Sequence, residues 1–185
     1  MAHESFYTMF VELLCDMFDM ETQQIEALPR LIQSSSHPKL KEAFEIHLEE
    51  SKNHLEKLKG IFKTLNENPA GAKSKPIQDI IQDVQQLINR DLSPSVKDAY
   101  LIVLWQKIEH YEITSYGSTR AIARHLNNLS LKKRVDFDDI ADILQQSLDE
   151  EADMDEKLTE IAEGGFFTSG INDEAEKTEQ EKLKI

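Results

Sequence analysis

The sequence predicts an all-α protein, an antiparallel four-helix bundle with acidic side chains turned into its core. Three observations lead there. Four long segments repeat apolar residues at helical spacing, no segment alternates apolar and polar residues as a half-buried strand would, and helix breakers are few. Only six Gly and five Pro occur among 185 residues. Residues that lose little freedom in a helix (Leu, Glu, Gln, Lys, Ala) dominate instead.

The first segment runs from about Glu4 to Gln33, with Phe10, Leu13, Leu14, Met17, Phe18, Ile25, Leu28 and Leu31 on one side. Pro29 lacks a backbone donor and should bend the last turn, after which Ser34–Ser36 break the pattern. Pro38, whose fixed φ suits a first turn, opens the second helix through Leu40, Phe44, Leu48, Leu55, Leu58, Phe62 and Leu65. Asn66–Pro76 (NENPAGAKSKP) reads as a loop. A shorter amphipathic segment, Ile77–Asn89, puts Ile80, Ile81, Val84, Leu87 and Ile88 on one face. That face either covers an end of the bundle or joins two chains, and the dimer face is the reading adopted. Ser93 and Pro94 start the third long helix, about Ser95 to Leu126, with Leu101, Leu104, Ile108, Ser115 and Ile122 inward. Asp136 caps the fourth, about Phe137 to Glu163, which stops at Gly164–Gly165.

The bundle domain is thus residues 1–165. Residues 166–185 end in NDEAEKTEQEKLKI, almost without apolar content, and are expected to be an acidic, disordered tail. Short connections join helices one to two and three to four. The connection between those hairpins is long and carries its own fifth helix, which is the ferritin-like connectivity.

Several polar residues fall on the apolar stripes. Glu21 lies among Met17, Phe18, Ile25 and Leu28; Glu112 lies between Ile108, Ser115 and Thr119; Glu151 is central to Ile140, Leu144, Leu148, Leu158 and Ile161. On the second helix His47 is central, His54 follows seven residues on, and Glu50 sits towards one edge, as Glu109 and Glu150 do on theirs. An unpaired buried carboxylate costs several kcal/mol, and neighbours of like charge add to that. Four helices each turning one inward therefore call for cations, and two divalent metal ions would supply them. Oxygen ligands with imidazole suit iron or manganese better than zinc. Di-metal carboxylate bundles combine two lone Glu with two Glu-x-x-His motifs. No Glu-x-x-His occurs here; the nearest match is the reversed His47-x-x-Glu50.

An internal echo supports two related hairpins. HLEESKNHLEKL (His47–Leu58) and SLDEEADMDEKL (Ser147–Leu158) place Glu50 opposite Glu150, and Glu21 aligns with Glu112 on the other pair. Around these residues, DMETQQIEALPRL, HLEESKNHLEKL, IEHYEITSYGS and LDEEADMDEKL resemble the YciF/YciE-like bacterial stress proteins, from about Phe6 to Ala162. The resemblance implies a homodimeric ferritin-like bundle with a di-metal centre and no established reaction. By motif position it carries over Glu21, His47, Glu50, Glu109, Glu112, Glu150 and Glu151 as metal-ligating residues. His54 stands where the family often has Gln and is left out.

Composition limits the rest. A net charge of −14 opposes nucleic acid and anionic membranes. No apolar run approaches the roughly 20 residues of a membrane span. One cysteine, Cys15, leaves no internal disulfide, and with no basic, apolar leader at the start the cytoplasm is the expected compartment. The expected function is a di-metal protein handling dioxygen, peroxide or iron under stress. Whether it is an enzyme stays open, and the alternative is a structural or interaction bundle without a working centre.

Overall fold

The computed structural model describes residues 5–69, 71, 73–129, 135–165 and 168–184. The expected helix start at Glu4, loop positions Ala70 and Ala72, and tail positions Phe166, Phe167 and Ile185 lie outside them. Along the chain come α1 (Phe6–Ser34), α2 (Pro38–Leu65), α3 (Lys75–Ile88), α4 (Pro94–Asn128), α5 (Phe137–Glu163), a two-residue hairpin of β1 (Gly164–Gly165) and β2 (Thr168–Ser169), and α6 (Ile171–Lys182). Local signals set the ends. The Ser5 hydroxyl caps α1 by accepting from Thr8 N at 3.1 Å. Pro38 and Pro94 sit in first turns, and the Asp136 carboxylate accepts from the amides of Asp138 and Asp139.

Cross-helix contacts fix the directions. Tyr7, at the start of α1, donates to Glu67 just beyond α2. Gln24 of α1 reaches Glu112 of α4, while Ser36 beyond the end of α1 meets Asp98 at the start of α4. So α1 runs antiparallel to both α2 and α4. Helices α2 and α4 are therefore parallel, and the connection between them must return along the bundle. Helix α3, 14 residues long, covers about 21 Å of that return at 1.5 Å per residue. Ser74, ahead of α3, donates its amide to Asp19 at 2.8 Å and accepts from Gln23 at 3.2 Å. Ile77, Ile81, Val84 and Leu87 are buried against α1 and α4 of the same chain. That corrects the dimer-face expectation for this helix: its apolar face is consumed within the chain.

The four long helices bury heptad stripes. In α1 the buried positions step through Phe10, Leu14, Met17, Glu21, Gln24, Leu28 and Leu31; in α2 through Leu40, Phe44, His47, Ser51, His54, Leu58, Ile61 and Leu65. Helix α5 continues the rule with Phe137, Ile140, Leu144, Ser147, Glu151, Met154, Leu158 and Ile161. Alternating steps of three and four keep one seam facing the partners in a gently left-handed bundle. Helix α4 departs from the rule: Ile108, Glu112 and Tyr116 make two consecutive four-residue steps. This stutter moves the stripe on by one residue, so Tyr116 and Ala123 are buried where Ser115 and Ile122 were expected. It also broadens the inward face, and Glu109 is buried beside Ile108.

The tail corrects a second expectation. Gly164 ends α5 with φ 78°, and an added Cβ would lie 2.3 Å from the Thr168 carbonyl oxygen. The chain thus doubles back tightly and continues as α6, with Ile171 buried and Ala175 and Thr178 half-buried along one face against α4. One large apolar anchor and two small ones hold this helix. Composition alone did not reveal that pattern.

Asp98 ties the start of α4 to the connection between α1 and α2. Its carboxylate, buried in α4, accepts from the amides of Ser36 and His37 at 2.7–3.1 Å, satisfying free donors ahead of α2. Asp98→Ala should lower stability by about 1–3 kcal/mol in urea denaturation, because buried amides lose a charged acceptor. An unchanged midpoint would mean that water serves these amides equally well.

Candidate metal centre

The polar heptad positions lie at matching heights in the middle of the bundle, with apolar layers on either side. Two groups form. His47, Glu109, Glu112 and Glu151 offer ligand atoms all within 4.8 Å of one another, and Glu21, His54 and Glu151 do the same. Glu151 belongs to both groups, and all six residues are fully buried. Every long helix contributes: α1 gives Glu21, α2 both histidines, α4 Glu109 and Glu112, and α5 Glu151.

Distances within the groups are short. His47 Nε2 lies 3.4 Å from Glu109 Oε1, and its Nδ1 is 3.8 Å from Glu151 Oε2. His54 Nδ1 lies 2.9 Å from Glu151 Oε1 and 3.2 Å from Glu21 Oε1. None of these four approaches makes a hydrogen bond. Both oxygens of Glu109 and of Glu151, one oxygen each of Glu21 and Glu112, both ring nitrogens of His47 and Nδ1 of His54 are buried without a hydrogen-bond partner. Native interiors leave few such atoms. Here they gather in one place.

The remaining oxygens are held from outside the groups. Gln24 donates to Glu112 Oε1 at 2.6 Å, and the Tyr116 hydroxyl donates to Glu21 Oε1. Trp105 packs edge-on against His47 and Tyr116 against His54, with ring centroids 5.9 and 5.7 Å apart. The aromatic rings fill space and restrict both imidazoles.

Electrostatics follow from burial. Desolvation raises Glu109 and Glu112 well above the usual carboxylate range, and the nearby Glu151 pushes both further up. Burial also raises Glu21, with His54 pulling the other way. Burial alone would lower His54, but the carboxylates of Glu151 and Glu21 outweigh it and push the imidazole up to about 11. These shifts all favour protonated carboxyls and a protonated His54, so a divalent ion would compete with protons for the same groups.

The residues fit a pair of such ions. Carboxylate oxygens with a few imidazole nitrogens match the donor preferences of iron and manganese, and the unpartnered atoms are the ones that would ligate. Glu21, His47, Glu109, Glu112 and Glu151 are brought together as the sequence suggested. Glu50 and Glu150 are not: their side chains remain 32% and 39% exposed. Glu50 sits 3.7 Å from His47 Nδ1. Glu150 contacts the outer nitrogen of His54 at 2.5 Å and Lys57 at 3.0 Å. Burial acts upward on Glu150, but those two partners hold it below the usual range. Both glutamates line a cleft of about 670 Å3 between α2 and α5, together with Ala43, Ile46, Met154 and Lys157.

Sequence reasoning left out Gln24 and kept His54 outside the ligand set. For His54 the signal was present, since it stands seven residues after His47 in the same heptad register. Gln24 likewise follows Met17 by seven.

Comparisons with known proteins agree with the family read from the four glutamate-bearing motifs. The family model described as "Domain of unknown function (DUF892)" matches residues 5–176. Protein YciF of Escherichia coli strain K12 is 32% identical over 154 residues, covering 83% of this chain and 87% of that protein. The crystal structure of YciF, described as an E. coli stress protein, aligns with a TM-score of 0.77 at 31% identity, covering 85% of this chain and 94% of the other. YcfI, described as a putative structural protein from Rhodopseudomonas palustris, aligns at 0.78 with 28% identity, covering 87% and 97%.

Proposed function

We propose that this chain, which belongs to the DUF892 family, is a ferritin-like di-metal carboxylate protein that binds iron or manganese and handles dioxygen, peroxide or iron under stress. One observation carries the reading: unpartnered carboxylates from separate helices meet around two imidazoles, with Glu151 common to both groups. Glu109, Glu112 and His47 would hold one ion, Glu21 and His54 the other, and Glu151 both. Ions of this kind supply Lewis-acid and redox chemistry toward dioxygen or peroxide. The chain's own part is to fix the ligands. Gln24 and Tyr116 orient Glu112 and Glu21, the aromatic rings immobilise the imidazoles, and the apolar layers on either side exclude bulk water. Glu50, which lines the cleft, lies 3.7 Å from His47 Nδ1, so the cleft is the open side nearest the centre.

The link to stress comes from the description of the E. coli relative. A homodimer is part of the proposal on the family resemblance alone, and light scattering of the purified protein would test it. The main test is metal analysis of protein purified without chelator, followed by an iron(II) oxidation assay. About two ions per chain and oxidation above the buffer rate are expected. Substoichiometric metal together with no oxidation would overturn the reading.

A second reading has one observation in its favour. Burial favours the protonated forms of Glu109 and Glu112, and the carboxylates around His54 favour its protonated form, which would lower the charge of a bundle that holds no metal. Under that reading, added manganese should leave the melting temperature unchanged.

A further inference from the structure

His54 reaches in two directions. Its Nδ1 is buried without a hydrogen-bond partner and faces Glu151 and Glu21 at 2.9 and 3.2 Å. Its Nε2 points outward to Glu150 Oε2 at 2.5 Å, and Lys57 Nζ holds the same oxygen at 3.0 Å. Lys57 follows His54 by three residues on α2, so both approach Glu150 from one helix face. Tyr116, edge-on to the ring, limits its swing from the opposite side.

An imidazole binds a metal through one nitrogen, and the acceptor beside the other nitrogen decides which. Here the outer nitrogen has a carboxylate acceptor, which keeps hydrogen on Nε2. The inner nitrogen faces the group containing Glu21 and Glu151, and it is the one that would give up its hydrogen to a cation there. The oxygen of Glu150 is meanwhile committed to two donors, and its side chain stays 39% exposed at the cleft rather than joining either group.

We infer that Glu150 is not a metal ligand but a positioning residue, which with Lys57 fixes His54 so that Nδ1 is the nitrogen presented to a divalent cation. This rests on the di-metal reading above and assigns a role within it. The two roles for Glu150 differ in what an amide can replace. A Gln carbonyl can still accept from Nε2–H, so it preserves the orientation of His54. As a ligand in place of a carboxylate, neutral Gln would be nearly as poor as Ala.

The experiment compares wild type, Glu150→Gln and Glu150→Ala by titrating manganese(II) against a chromophoric chelator. Nitrogen NMR of the histidine rings in zinc-loaded protein, a diamagnetic probe, provides a second readout. Glu150→Ala should weaken one of two sites by about 10–100-fold, the usual effect of losing an outer-shell partner. The other site should be unchanged. Glu150→Gln should stay within a few-fold of wild type, and Nδ1 should be the zinc-bound nitrogen of His54 in both wild type and Glu150→Gln. Equal losses in Gln and Ala would make Glu150 a ligand and overturn the inference, as would no loss in either or zinc on Nε2. Wild type that binds neither ion is a separate outcome, which removes the di-metal reading itself and the inference with it.

Discussion

Glu151→Gln is expected to abolish divalent-ion binding at both buried groups together, whereas Glu21→Gln should weaken only the group containing His54. Glu151 directs Oε1 toward His54 and Oε2 toward His47, so one side chain serves both groups. Among the described residues, no other ligand is shared between them. With manganese at 100 times each site's dissociation constant, wild type should gain about 2.7 kcal/mol of stability per occupied site. For a chain of this size that is a rise of roughly 5–10 °C in melting temperature. Glu151→Gln should show almost none of this rise. Without metal, its stability should fall, because Gln keeps the shape of the side chain but loses the charge that faces His54. Melting curves with and without manganese separate the two terms. A manganese-induced rise of equal size in Glu151→Gln would exclude Glu151 from both sites.

That prediction was half visible in the sequence. Proline and acidic caps delimited the helices, since Pro38, Pro94 and Asp136 act on their own first turns and need no tertiary partner. Glu21, His47, Glu112 and Glu151 were legible because a charged or imidazole side chain on an apolar stripe is a local contradiction. Glu109 looked like an edge residue because a uniform turn angle cannot anticipate the stutter that brings Ile108, Glu109 and Glu112 inward together. Glu50 and Glu150 lie just outside the two buried groups for the opposite reason. Each sits one residue outside its heptad seam, beside Ser51 and Glu151, and the repeat that aligned them with each other did not report which way they faced. The internal echo itself pairs buried Ser51 with buried Glu151, so the two halves are matched in backbone register but not in chemistry. The helix after Gly170 was unreadable because its docking depends on Ile171 meeting α4, a contact set by the preceding reversal.

Metal-free protein is expected to lose stability as pH rises from about 6 to about 9, and metal-loaded protein to show the reverse trend. His54 is held at about 11 in the folded chain against an ordinary value of 6.5. The fold therefore keeps a proton that the unfolded chain releases. The stabilisation is fully present below 6.5 and is lost as pH climbs through about 11. Glu109 and Glu112 act with the same sign, because burial raises both well above 4.5 and the folded state again binds more protons than the unfolded one. Their contribution is present below 4.5 and fades as pH rises through their elevated folded values. Divalent ions bind the deprotonated forms, so the gain on adding manganese should grow across the same range. Removing the imidazole by His54→Gln should flatten the metal-free pH dependence at its alkaline end while leaving the part due to Glu109 and Glu112. Melting temperatures at about pH 6, 7.5 and 9, with chelator and with manganese, give all of these slopes. A metal-free melting temperature that climbs with pH would mean that Glu109 and Glu112 are ionised in the folded chain without a cation. The proton-for-metal exchange at the centre would then be wrong.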